Sequence, residues 1–155
     1  MWYHKRVMSN LIYNKKAGFD YEILEKYEAG IELFGYEVKS LRAKHGVLDG
    51  SRVIIRGGEA YLIGASIPAY QPANTPSGYE PDRNRRLLLT KIEIGQLAGI
   101  EGQKGLTIVP ISMYNKVNKI KVEVAVARGK KKFDKRETIK KRDTERDIAR
   151  EFSVR

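Results

Sequence analysis

The chain has no cysteine, which rules out disulfides, thiolate metal ligands and a cysteine nucleophile together. Its two histidines, His4 and His45, are too few for a histidine-based metal centre. No apolar run approaches the roughly 18 residues of a membrane-spanning helix. The opening MWYHKRVMSNLIYNKK has neither the apolar stretch nor the small-residue cleavage site of a secretion signal. A cytoplasmic protein is expected, without metal or cofactor. Proline is scarce and clustered: Pro68, Pro72, Pro76 and Pro81 are four of the five. Acidic residues are in deficit, with 19 Asp and Glu against 30 Lys and Arg, a net charge of +11.

Much of that charge lies in a C-terminal tract. From residue 128 to 155 the alternation of apolar and polar residues stops, and twelve Lys or Arg stand against six Asp or Glu. Phe133, Ile139, Ile148, Phe152 and Val154 are too few to bury a core of their own. Such a tail needs a polyanion to order it, either nucleic acid or an anionic membrane. The membrane alternative requires an apolar face, which these sparse residues do not supply. Arg142, Arg146 and Arg150 recur every four residues beside Asp143, Asp147 and Glu151, so a helix here carries parallel basic and acidic stripes. A helix this polar is marginal in water by itself.

The remaining length suits one domain. Residues 1–18 show no period and read as an arm of low order. Residues 21–33 place apolar side chains mostly at odd positions, predicting a long strand bent or bulged at Gly30. Val38 and Leu41 give residues 36–44 a short helix stopped by Gly46. Residues 51–56 and 59–63 form a hairpin through Gly57-Gly58, and the proline cluster reads as a long exposed loop. Residues 87–89 suit a short strand. Thr90 and Glu93 make a capping box for a helix ending near Gly99. Residues 106–114 and 119–127 are two long strands, with Ile120, Val122, Val124 and Val126 on one face of the second. Five or six strands, mostly in hairpin order, predict a mainly β fold: a small antiparallel OB-like β-barrel with peripheral short helices and a basic C-terminal tail. The division is an arm over 1–13, the barrel over 14–128 and the tail over 129–155.

The segment Gly35-Tyr36-Glu37-Val38-Lys39-Ser40-Leu41-Arg42, with Gly129-Lys130-Lys131 and Asp134-Lys135-Arg136, closely resembles the SsrA-binding protein (small protein B) family. Asn14-Lys15-Lys16-Ala17, Tyr27-Glu28-Ala29-Gly30-Ile31, Gly58-Glu59-Ala60-Tyr61-Leu62 and Arg86-Leu87-Leu88-Leu89 occur in that family's order and spacing. The resemblance implies an OB-like barrel that binds transfer-messenger RNA (tmRNA) and escorts it to ribosomes stalled on messages lacking a stop codon. That is trans-translation: ribosome rescue with tagging of the incomplete peptide, by a binding factor and not an enzyme. It further implies that the barrel grips the elbow of the tRNA-like domain where an anticodon arm would be. The tail, disordered when free, is implied to become helical in the empty mRNA channel. The partners implied are tmRNA and small-subunit rRNA at the decoding centre, with elongation factor Tu a further candidate through the tmRNA complex.

In the resemblance, Asn14, Glu28 and Leu88 fall at positions that support RNA binding by the barrel. A carboxylate such as Glu28 accepts hydrogen bonds from base amino groups or 2′-hydroxyls, or holds a neighbouring cation. The plain alternatives are a turn residue for Asn14, a solvated strand residue for Glu28 and core for Leu88. Lys39 and Arg42 sit three apart and can reach phosphates from one side of their helix. Lys15 and Arg86 complete the barrel candidates, while Lys16, Arg83, Arg85, Lys119 and Lys121 are ambiguous singly. The candidates for ribosomal contact are Lys130, Lys131, Lys132, Phe133, Asp134, Lys135, Arg136, Lys140 and Arg142. Phe133 offers a stacking ring among cations, where family members commonly carry Tyr or His. Glu28 and Glu37 as a carboxylate pair, or His45 as a base, would be needed for an enzyme, and nothing in the sequence draws them together. The competing reading is a generic OB-fold RNA-binding or ribosome-associated factor without tmRNA specificity.

Overall fold

The computed structural model describes residues 8–130, 139–143 and 146. In chain order the elements are β1 (Met8–Tyr13), α1 (Lys15–Asp20), β2 (Tyr21–Ile31), α2 (Gly35–Arg42), β3 (Arg52–Arg56), β4 (Glu59–Ile63), β5 (Arg85–Leu88), α3 (Lys91–Ile100), β6 (Leu106–Lys116) and β7 (Lys119–Gly129). The strands make one antiparallel sheet in the order β1-β6-β7-β2-β5-β4-β3. Its inner face gathers Ala29, Leu62, Leu87, Met113 and the Val122, Val124, Val126 row into the main core. A second cluster, Ala17, Val109, Ile111, Ala125 and Ala127, lies where α1 covers the other face. Burial on both faces explains why β6 is buried without interruption from Ile108 to Tyr114.

The OB-like β fold agrees with expectation, as do the β3–β4 hairpin and the capped helix. Gly57 and Gly58 take φ values of 60° and 74° between the paired Arg56 and Glu59. Thr90 accepts the Glu93 N–H, and Glu93 accepts the Thr90 N–H. Four features differ. Residues 8–13 are not an arm: they pair with β6, with a register shift between Asn10 and Ile12. The irregularity in β2 falls between Ile23 and Glu25, not at Gly30. Gly30 instead lies where β5 and β7 both pair with β2, and a Cβ there would sit 3.2 Å from the Leu88 Cβ. Helix α2 ends through Lys44 in the left-handed region (φ 63°), with the His45 N–H on the Ser40 carbonyl, ahead of Gly46. Finally, among the described residues the strands number seven and the sheet is not closed into a hydrogen-bonded barrel. β3 faces the first half of β6 across a cleft lined by Arg52, Ile54, Leu106 and Thr107. There the Glu101 carboxylate accepts the outward Ile55 N–H at 2.5 Å and an Arg56 guanidinium N–H at 2.6 Å.

Candidate nucleic-acid interface

Beyond α1, the outer face of β2 and β7 is partly exposed beside a buried stretch of β6, and period two decides what it displays. Glu28 lies opposite Glu123, which lies opposite Ser112; Lys121 lies opposite Tyr114, and Lys116 opposite Lys119. Two glutamates facing each other repel, and each is met by a lysine. Lys116 Nζ donates to Glu28 Oε1 at 3.0 Å, and Lys26 Nζ lies 3.4 Å from Glu123. The Tyr114 hydroxyl donates to Glu28 Oε2 at 2.5 Å. That hydrogen bond, helped by Lys116 and Lys121 against the opposing effect of burial, holds the Glu28 carboxyl below its ordinary pKa. Burial and the Glu28 carboxylate push the Tyr114 hydroxyl up. At neutral pH Glu28 is therefore an ionised acceptor fixed on a neutral phenol.

Lys121 joins this cluster to a cleft of about 250 Å³ floored by Ile31, Leu33, Val38 and Leu88 and rimmed by Arg42 and Lys119. Leu88 is 47% exposed, so it is not plain core. Arg42 Nη2 donates to the Asn118 carbonyl at 3.3 Å, tying α2 to the β6–β7 turn. In that turn Val117, a β-branched residue, takes φ 59°, a strained position. The structure thus brings Glu28, Arg42 and Leu88 together with Lys119 and Lys121, from four separate segments of chain.

Asn14 is different, being only 3% exposed. Its Oδ1 accepts the Ala17 N–H at 3.2 Å, and its Nδ2 donates to the Pro110 carbonyl at 2.9 Å. The amide is used within the fold, as the N-cap of the helix that displays Lys15 and Lys16. Asn14→Ala is expected to cost about 1 to 2 kcal/mol, read by thermal unfolding. Arg86 is paired to Glu32 at 3.2 Å and Glu59 at 2.8 Å, and Lys39 is exposed on α2.

Sequence reasoning missed the fate of Glu37 and Arg85, both fully buried. Arg85 donates to Glu37 Oε2 from Nε (3.0 Å) and Nη2 (2.8 Å), and to the Ala65, Arg83 and Pro81 carbonyls. Arg83 adds a fork to the same carboxylate, at 2.5 Å and 3.0 Å, and the Phe34 N–H donates to it at 2.7 Å. The Tyr79 hydroxyl lies 2.9 Å from Glu37 Oε2, and burial together with that carboxylate pushes its pKa up to about 12. Burial alone would raise the Glu37 pKa, but the bonds from Arg83, Phe34 and Arg85 outweigh it and hold it below the ordinary value. One signal was readable: Arg85 shares the period-two phase of the core residue Leu87.

The chain leaves β7 onto α1, where the Lys130 N–H donates to the Asp20 carbonyl (2.8 Å) and Lys130 Nζ to the Gly18 carbonyl (3.0 Å). Residues 139–143 and 146 are helical, Lys140 is exposed, and a Cβ on Gly18 would lie 3.7 Å from the Arg142 guanidinium. Lys131, Lys132, Phe133, Asp134, Lys135 and Arg136 lie outside the described residues. Among the described residues no cluster of three His, Cys, Asp or Glu could hold a metal ion, and no helix is long and apolar enough to cross a membrane.

The family model for SmpB protein matches residues 11–154. The chain belongs to the SmpB protein family. An SsrA-binding protein of Sulfurihydrogenibium sp. is 52% identical over 139 residues, spanning 90% of this chain and 91% of that protein. One of Azotobacter vinelandii is 47% identical over 146 residues, 94% of this chain and 91% of that one. A solved structure, "tmRNA-SmpB: a journey to the center of the bacterial ribosome", is 45% identical. It covers 80% of this chain and 87% of its own, with a TM-score of 0.67. For an SmpB-family chain the matched segment runs from the middle of β1 into the tail, so the second half of β1 lies within the family's shared region.

Proposed function

We propose that this protein binds tmRNA and delivers it to stalled ribosomes for trans-translation, acting as a binding factor without chemistry of its own. The observation that carries this reading is the continuous outer face on which the ionised Glu28 adjoins the Leu88-floored, Arg42- and Lys119-rimmed cleft. Such a face offers what folded RNA requires: cations for phosphates, an apolar seat for a ribose or base, and a fixed acceptor for base amino groups or 2′-hydroxyls. The names of the relatives and of the solved tmRNA-SmpB structure support it. In this reading Glu28, Leu88 and Arg42 touch RNA, with Lys15, Lys39 and Arg86 as flanking cations. Asn14 acts by positioning α1. Lys130, residues 131–136, Lys140 and Arg142 serve the ribosome at the decoding centre and the mRNA channel, and elongation factor Tu is met through the tmRNA complex. The site of action is the cytoplasm, where ribosomes translate.

The test is a titration with tmRNA and with elongator tRNA at two salt concentrations, and a competition between them. tmRNA should win at both; displacement by tRNA as efficient as by tmRNA would reduce the protein to a general RNA binder. Glu28→Gln keeps the shape and removes the charge. A charged hydrogen bond is worth about 1.5 to 3 kcal/mol, so tmRNA affinity should fall by roughly ten- to a hundredfold in the same titration.

A further inference from the structure

Leu33 and Phe34 are neighbours that open on different clefts. Leu33 lines the one floored by Leu88, whereas Phe34 lines a second of about 500 Å³ with Tyr36, Tyr79, Glu80 and Arg83. Three rings and a guanidinium pack together there. Phe34 and Tyr36 stack with centroids 5.4 Å apart at 28°, Tyr79 meets Tyr36 edge-on at 5.0 Å, and the Arg83 guanidinium lies 4.3 Å from the Phe34 centroid. The group is held from beneath by one buried carboxylate, since Glu37 binds the Phe34 N–H, the Tyr79 hydroxyl and Arg83. Phe34 is nonetheless 49% exposed. A rigid aromatic surface left half in water marks a place where something else binds.

We infer that this cleft takes an unpaired base of the bound tmRNA, stacked on the half-exposed ring of Phe34. This rests on the tmRNA reading and adds a second point of attachment to it. A strand whose phosphates follow Arg42, Lys119 and Lys121 reaches the platform by crossing the Leu33–Phe34 step. The local charge favours a base over a phosphate: Glu37 is shared by Arg83 and Arg85, which leaves that trio one positive charge, and Glu80 on the cleft wall offsets it while accepting hydrogen bonds from a base amino group. The volume falls within the range of single-ligand clefts, and aromatic and guanidinium planes are the surfaces on which splayed RNA bases stack.

The experiment compares tmRNA affinity across salt for the full chain, Phe34→Leu, Phe34→Trp and the double variant Lys119→Ala, Lys121→Ala, with a thermal unfolding curve for each. Phe34→Leu keeps apolar bulk but loses the π face. It should bind about fivefold to a hundredfold more weakly, with the slope of log affinity against log salt unchanged. The lysine variant should instead lower that slope, by roughly 0.7 to 0.9 for every phosphate that is no longer neutralised. Phe34→Trp should bind as the full chain does. Full-chain affinity in Phe34→Leu, an equal loss in Phe34→Trp, or a reduced slope in Phe34→Leu would each overturn the stacking site while leaving the tmRNA reading intact. Failure of the full chain to prefer tmRNA over tRNA would overturn both.

Discussion

Replacing Glu37 with alanine is expected to remove about 3 to 5 kcal/mol of stability, lowering the thermal midpoint by about 10 °C or more. The size follows from what is left behind. Arg85 is fully buried, and without its carboxylate it becomes an uncompensated charge away from water. The carbonyls of Ala65, Arg83 and Pro81 solvate it only in part. Acid should imitate the substitution. Because the folded-state pKa of Glu37 is lowered, its contribution is complete above the unfolded-chain value of about 4.3 and is lost as pH falls through the lower folded value. The parent should therefore lose stability on that acid limb, and the alanine variant should show a flatter one. A variant melting within a degree or two of the parent would show that the carboxylate does not hold the loop before β5.

The second large effect belongs to the tail. Removing residues 131–155 is expected to abolish peptide tagging on stalled ribosomes while leaving most of the specific tmRNA affinity, measured by a tagging assay and a titration on the same preparation. The structure fixes where to cut. Arg128 pairs with Glu22 and Leu106, and Lys130 closes onto Asp20, so an earlier cut would damage the sheet and confuse the two readouts. The cut removes ten Lys or Arg and six Asp or Glu, leaving most of the net positive charge on the barrel. Non-specific RNA binding should weaken with it, since that component follows charge. Normal tagging by the shortened protein would refute the division of labour, and loss of tmRNA binding would move affinity into the tail.

Legibility in the sequence followed local regularity. The β3–β4 hairpin, the Thr90–Glu93 capping box and the β6–β7 pair were readable because the turn and cap residues are plain and the apolar row of β7 keeps period two, even though β6 is buried on both faces and shifts register between Pro110 and Ser112. β1 was not: the register shift between Asn10 and Ile12 buries both Leu11 and Ile12 and destroys the alternation that marks a strand. The same kind of shift hid the true irregularity of β2 near Leu24. Glu28 and Glu37 look alike in sequence, but one is a partly exposed acceptor on a sheet face and the other a buried anchor, because what separates them is contributed by Tyr114 and Arg85, far away in the chain. The cleft that gathers Arg42, Leu88 and Lys119 was unreadable for the same reason. The family motifs named its residues without showing that they meet.

Glu101 gives the unclosed sheet a further property. A border strand with spare N–H groups is a template on which a strand from another molecule can add, and repeated addition makes aggregates. By taking up the Ile55 N–H and holding the Arg56 side chain beside it, Glu101 occupies one position of that template with a side chain of the same molecule. A strand adding along β3 must first displace that carboxylate, so association along this border is opposed from within the fold.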